Sequence, residues 1–181
     1  MQINNLSNIS FGKYPILNCQ VKDSKTKQKK DATLYKYDPH NVKDMKEIRQ
    51  RQIPFGIDEM GYTKIYILED DETKDIVSCA QTSRHYRSNN LHQAGFSTLI
   101  EDMESSKAYI NPSEPLIAGL AKEAQDRSDS SIFLARPIQD VHSISNVRMA
   151  ANKLGEHYLT ERRFNSVIDK ACEHSQIEFL I

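Results

Sequence analysis

A few short stretches carry side chains whose types and spacing could do chemistry. Cys79 sits in the β-forming run Ile76–Thr82, and His85 follows in the polar stretch behind it. A cysteine–histidine pair becomes a nucleophile only where the thiol is held as thiolate and a third group orients the ring. A strand cysteine buried as a small hydrophobe is the simpler reading. Arg84, His85, Tyr86 and Arg87 make a cationic, aromatic segment. It can receive an anionic ligand or simply be solvated. Lys25, Lys27, Lys29 and Lys30 form a basic run broken by Thr26 and Gln28, which reads as a solvated hairpin tip able to meet an anion. The sequence holds no Gly-x-Ser-x-Gly elbow, no P-loop and no His-Glu-x-x-His. Its six histidines are scattered, so no metal site is expected.

The elements that must position these residues belong to one small domain. The chain has 181 residues, 38% hydrophobic and 27% charged, with a formal net charge of −1. That composition supports a packed core. The balanced, interspersed charge gives no whole-molecule field to draw nucleic acid or an anionic membrane, so neither is expected as a partner. Three cysteines, Cys19, Cys79 and Cys172, are odd in number and widely spaced, which fits neither a disulfide framework nor a zinc pattern. The opening Met1–Leu6 lacks a charged region followed by an apolar one. No apolar run approaches the roughly 20 residues of a membrane span. The expectation is a cytoplasmic, reduced protein; a leaderless export route stays open.

Periodicity supplies the elements. Ile16–Lys22 and Ala32–Tyr37 read as strands of a hairpin. Val42, Met45 and Ile48 recur every three residues, an amphipathic helix over 41–51 that Asn41 or Asp38 can cap. Lys64–Leu68 and Ile76–Thr82 form an antiparallel hairpin around the acidic turn 70–75. The polar stretch Ser83–Gln93 reads as a loop, and Gly95–Met103 as a third strand. Pro115–Arg127 is the clearest helix, with Leu116, Ile117, Leu120, Ala121 and Ala124 on one stripe. Ser131–Ala135 is a short, continuously apolar strand. Ser145–Leu154 can be a helix, and Glu161–Glu173 a better one, with Phe164, Val167, Ile168, Ala171 and Cys172 on one face. Gln176–Ile181 can close the sheet.

This order of elements resembles the GNAT superfamily of N-acetyltransferases over roughly residues 32–181. The resemblance implies an α+β fold, a mixed central sheet flanked by helices, with residues 1–31 as an N-terminal extension able to add a strand. It also implies an acyl-CoA cosubstrate, acetyl-CoA above all, and no metal. The acceptor would be an amine on a small molecule or a protein, attacking the thioester directly. In that family the motif Q/R-x-x-G-x-G/A carries the CoA pyrophosphate at a helix N-terminus. There, backbone N–H groups and the helix dipole favour negative charge. Here Ala108 stands at the Gln/Arg position, and Asn111 and Ser113 stand at the glycines. Glu114 and Leu116 lie at the helix start. Asn tolerates a left-handed backbone and Ser is small, whereas Pro112 and Pro115 lack an N–H and Glu114 adds negative charge.

Met103 falls where the family's strand offers a backbone N–H to the acyl carbonyl or the pantetheine arm. Strict alternation puts Ser97, Leu99, Glu101 and Met103 on one face, with Asp102 and Glu104 opposite. Glu101 is then the carboxylate able to deprotonate the amine; the plain alternative is that these acids face solvent. The Arg84–Arg87 segment could meet the 3′-phosphate of CoA. The family's last helix precedes a tyrosine that reprotonates the thiolate. If that helix is Ser145–Leu154, then Asn146, Ala150, Leu154 and Gly155 echo its pattern and Tyr158 is the acid. If it is Glu161–Glu173, the position falls near Cys172 or His174. Two functions follow: an N-acyltransferase, or a domain of the same fold that has lost catalysis and binds or regulates.

Overall fold

A computed structural model describes residues 13–53, 63–89, 93–129, 131–137, 160–164 and 174–180. Its strands carry the sequence alternation directly into layers. On β3 (Lys64–Asp70), Tyr66 and Leu68 enter one hydrophobic cluster, while Ile65 and Ile67 enter another. A side-chain period of two requires this. Both faces are covered, so residues 65–70 are buried without interruption, as in strands buried on two sides.

One face packs under α2 (Ser113–Asp126). Its stripe Leu116, Ile117, Leu120, Ala121 and Ala124 is buried with Leu34, Leu68, Ala80, Ile100 and Met103. The other face packs under α1 (Val42–Gln50), where Ile48 and Met45 meet Tyr37, Ile65, Ile67 and Cys79. Val42, the first residue of the expected stripe, is instead 83% exposed. Asn41 caps α1, accepting from the N–H groups of Lys43 and Asp44, as a short polar side chain does at this position. No helix among the described residues is long and apolar enough to cross a membrane.

The remaining strands are β1 (Tyr14–Asp23), β2 (Lys29–Tyr37), β4 (Ile76–Asn89), β5 (Gln93–Ser105), β6 (Tyr109–Ile110), β7 (Ser131–Pro137), β8 (Thr160–Phe164) and β9 (His174–Leu180). They form one sheet in the order β6-β1-β2-β3-β4-β5-β7-β9-β8. Every neighbouring pair is antiparallel except β5 and β7, which run parallel. A parallel pair needs a crossover, and α2 supplies it.

Several expectations are corrected. The stretch 83–93 is no loop from end to end: β4 continues through Asn89, and β5 starts at Gln93. No Gly or Pro interrupts Ser83–Asn89, and the two long arms pair from Ser78↔Ser105 to Asn89↔Gln93. The first part of the expected helix 161–173 is strand: Thr160–Phe164 pairs with β9. The expected helix 145–154 lies outside the described residues. α2 begins at Ser113, two residues before Pro115. Pro115 is still in the first turn, where a helical N–H has no intrahelical acceptor.

Candidate active site: the wedge between β5 and β7

Two parallel strands that part company create the opening. β5 and β7 pair from Ser97↔Ser131 to Ile100↔Leu134. Beyond that point β5 runs on to Ser105, and β7 continues to Pro137, paired among the described residues with β9 alone. Between them, the backbone of 101–105 has no strand partner on its β7 side among the described residues. Unpaired backbone groups at a strand edge seek hydrogen bonds, so the wedge offers a polar rail to any extended ligand arm.

A β-bulge marks the mouth of this wedge. In the β4–β5 register Thr82 faces Ile100 and Gln81 faces Asp102, which leaves Glu101 as the extra residue. An extra residue shifts the alternation by one. Ile100 and Met103 therefore both join the cluster beneath α2, although they are three positions apart. This corrects the expected face: Glu101 and Met103 do not share one. Glu101 is exposed and accepts a hydrogen bond from Gln81 Nε2 at 3.0 Å. The backbone N–H of Met103 donates to Asp102 Oδ1 at 2.8 Å.

Next along β4 on the α1 face comes a second polar pair. Ser83 Oγ lies 2.7 Å from His85 Nε2. Ser83 is 5% exposed, whereas His85 is exposed. His85 thus has a serine partner and not Cys79. Burial pushes the Cys79 thiol up to about 12, so it stays protonated and unreactive near neutrality.

The start of α2 is the candidate phosphate site. Asn111 adopts φ 48°, the left-handed conformation that Asn enters at low cost. Pro112 occupies the N-cap without a side-chain hydrogen bond. The Glu114 N–H donates to Asn111 O at 3.2 Å. With proline at 112 and 115, Ser113 keeps the one first-turn N–H that helix geometry leaves uncommitted. Its side chain is 1% exposed, and among the described residues Ser113 Oγ has no hydrogen-bond partner. Glu114 is also buried, at 5%. Leu116 is fully buried in the core, so its side chain holds the helix down. The loop is tied at three points: Ser78 Oγ donates to Pro112 O, the Ser24 N–H to Ala108 O, and Tyr109 Oη to Asp70 Oδ2. Burial opposes the charge on Asp70. The N–H groups of Thr73 and Glu72, the Tyr109 hydroxyl and Lys30 outweigh it and hold the carboxyl below its usual range.

The other end of α2 is saturated with charge. Asp129 is 4% exposed. It accepts from Arg84 Nε at 2.8 Å, Thr98 Oγ1 at 2.6 Å and Arg127 at 3.2 Å. Arg84 is therefore committed to Asp129, which corrects its reading as a loop cation. It also stacks on Phe96, with the guanidinium 4.1 Å from the ring centroid.

A separate cavity of about 600 Å³ opens on the β1 side of α2, between Leu17, Cys19, Val21, Asn111, Glu114 and Pro115. None of its lining residues belongs to β5 or β7, but Asn111, Glu114 and Pro115 put it at the same helix start as the candidate phosphate site. Tyr158 lies outside the described residues. Among those described, no group of His, Cys, Asp and Glu could hold a metal ion. The structure thus brings Glu101, Met103, Ser83 and His85 to one stretch of β4 and β5. Sequence reasoning missed the Ser83–His85 pair, whose signal was the i, i+2 spacing in a segment without breakers.

No protein-family model and no curated protein matches the chain. Solved structures do. One is a protein from the yellow fever mosquito, Aedes aegypti, assigned as an arylalkylamine N-acetyltransferase. It matches with a TM-score of 0.53 at 8% identity, covering 92% of this chain and 94% of its own. A protein from Klebsiella pneumoniae assigned as an acyl-CoA N-acyltransferase matches at 0.50 and 12% identity, covering 83% and 98%. A chain of the NatC complex, solved with Gag peptide and CoA, matches at 0.50 and 10%, covering 83% and 97%. The chain has the GNAT fold.

Proposed function

We propose that this chain is an acyl-CoA-dependent N-acyltransferase, with acetyl-CoA as cosubstrate. The observation that carries the reading is the wedge. β5 and β7 separate after Ile100↔Leu134, beside a bulge at Glu101, and β5 leads through β6 into a helix start whose buried Ser113 hydroxyl has no hydrogen-bond partner among the described residues. An acyl-pantetheine arm lying in the wedge would meet the open edge of 101–105. The bulge would bring its thioester carbonyl to the Met103 N–H, displacing the bond that this N–H donates to Asp102 Oδ1. The pyrophosphate would sit against Asn111, Ser113 and Glu114, served by the Ser113 N–H and Oγ and by the positive end of α2. Glu101 would stand on the acceptor side, held by Gln81. Tyr158 would return a proton to the CoA thiolate. The acceptor is an amine on a small molecule or a protein, in a cytoplasmic setting.

A second reading rests on the thin phosphate cradle. Two prolines, a buried Glu114 and a Met103 N–H already engaged at 2.8 Å favour a GNAT-fold domain that binds or regulates without catalysis. Turnover separates the two. The protein is incubated with acetyl-CoA and a polyamine, an arylalkylamine or a peptide with a free N-terminus. Thiol release and the acetylated product are then followed together. Acceptor-dependent CoA release supports the enzyme. Acetyl-CoA binding without acetylated product in any mixture supports the second reading.

A further inference from the structure

We propose that the cavity between β1 and the start of α2 takes the adenosine 3′-phosphate end of the acyl-CoA, with Lys22 and Lys29 on the phosphate. This rests on the acyl-CoA reading above.

The cavity lies on an open strand edge. β1 meets β6 at Lys22↔Ile110 and Asp23↔Tyr109, and residues 14–21 have no strand partner on that side among the described residues. Alternation turns Val21 into the core beneath α2, with Leu17 and Cys19 packed against it. It turns Gln20 and Lys22 to the other face. All five line the cavity, which therefore straddles the edge of β1. Its volume of about 600 Å³ is in the range of small-ligand sites.

The two faces of that edge differ in charge. Lys22 and Lys29 are exposed and stand directly opposite each other on β1 and β2. Like charges in that relation are unfavourable. Lys30, the next residue, is paired with Asp70 at 3.3 Å, whereas Lys22 and Lys29 have no acid partner among the described residues. An anion between them would relieve the repulsion. On the α2 side the wall carries Glu114, buried at 5% exposure, whose carboxylate oxygens suit an N–H donor and repel a phosphate.

A ligand crossing the edge must bring an anion to the lysines, an N–H donor to Glu114, and an apolar body to Leu17, Val21 and Pro115. Adenosine 3′-phosphate carries these in one molecule: a phosphate, a flat purine and an exocyclic amine. The open edge of β1 adds backbone groups for the purine's own donors and acceptors.

Position ties this site to the proposed pyrophosphate seat. Ile110 faces Lys22 across about 5 Å of sheet, and Asn111 follows it in the chain. Asn111 and Glu114 line the cavity and also belong to that seat. In CoA the adenosine 3′-phosphate follows directly on the pyrophosphate, so the molecule need only turn over the helix start toward β1. Both lysines belong to the N-terminal 31 residues. That segment thus supplies positive charge to a cofactor whose phosphate loop lacks the N–H groups of Pro112 and Pro115.

The test is calorimetric titration with CoA and with dephospho-CoA, which lacks the 3′-phosphate. Wild type should bind CoA about 10-fold or more tighter than dephospho-CoA. The double variant Lys22→Gln/Lys29→Gln should bind both ligands as wild type binds dephospho-CoA. Ala118→Phe, which fills the cavity from α2, should weaken both ligands. Each variant is first checked for a wild-type melting temperature; the comparison of the two ligands on wild type needs no variant. Equal affinity of wild type for CoA and dephospho-CoA overturns the proposal and leaves the acyl-CoA reading standing. So does a double variant that weakens both ligands alike, or undiminished binding by the folded Ala118→Phe. Adenosine 3′,5′-bisphosphate should compete with CoA; if it binds without competing, the cavity serves a free nucleotide and the proposal falls. A wild type that binds neither CoA nor dephospho-CoA removes this proposal and the acyl-CoA reading together.

Discussion

The two ends of α2 are built on opposite principles. At the C-terminal end, Asp129 is ringed by Arg84, Thr98 and Arg127, and Arg127 also reaches Glu123. At the N-terminal end the cap is a proline without a side-chain hydrogen bond. One residue before it sits in the left-handed region, and one residue after it a buried hydroxyl has no partner among the described residues. Buried polar groups are normally satisfied. An end that spends charge freely on its own structure is a clamp. An end that leaves donors uncommitted is suited to a ligand with acceptors of its own. The loop before it is nevertheless well fastened, through Tyr109, Ser78 and Ser24. The helix start is thus held in a fixed frame.

The largest expected break in this comparison is at the clamp. Asp129→Ala leaves two guanidinium groups and Thr98 without their shared acceptor. Arg84 and Arg127 are themselves partly exposed, so the cost is that of several charge-assisted bonds to a buried carboxylate, about 2–4 kcal/mol together, read as a drop in urea midpoint. Acetyl-CoA binding by the folded fraction should persist, because the clamp is at the far end of the helix.

Tyr109→Phe comes next and acts on the frame of the other end. It removes the Oη–Asp70 bond of 2.9 Å and leaves a buried carboxylate short of a donor, a loss of about 1–3 kcal/mol. The sign with pH is fixed. Asp70 is held below its usual range, so its stabilisation is present above the unfolded value near 4 and is lost as pH falls through the folded value. Unfolding followed against pH should show a shallower acid limb in the variant than in wild type.

Gly119→Ala tests how tightly the helix middle joins the two ends. A Cβ there would run into the Leu34 side chain, which is fully buried. The helix gains about 1 kcal/mol of propensity from alanine. Overpacking of about 1–3 kcal/mol outweighs it, so the midpoint should fall slightly. Smallest of all is Ser113→Ala. Its hydroxyl has no partner to lose among the described residues, so stability should stay within about 0.5 kcal/mol of wild type, while acetyl-CoA affinity falls. A clear loss of stability in this variant would show that the N-terminal end is structural too.

How much of this was legible in the sequence follows from the range of the forces involved. The α2 stripe was readable because Leu116, Ile117, Leu120, Ala121 and Ala124 obey a local period. The hairpin of β3 and β4 was readable from β-formers around an acidic turn. The polar arm from Arg84 to Asn89 was not, because its strand character comes from pairing with β5 and from contacts such as Arg84 with Asp129, distant in sequence. The same holds for Thr160–Phe164, where a helical spacing of apolar residues was overruled by pairing with β9. The bulge at Glu101 leaves no mark in composition, yet it decides the faces of Glu101 and Met103. For the candidate site, Asn111 and Ser113 could be singled out by register. The emptiness of Ser113 Oγ and the Ser83–His85 pair needed coordinates.

The central claim is that the start of α2 holds the pyrophosphate of an acyl-CoA beside the β5–β7 wedge. Calorimetric titration with acetyl-CoA, on wild type and on Ser113→Asp, tests it most directly. The account predicts saturable binding of one acetyl-CoA per chain, lost when a carboxylate is placed at Ser113 in a variant that still melts like wild type. Absence of heat with the wild type, or undiminished binding in the folded Ser113→Asp variant, would contradict it.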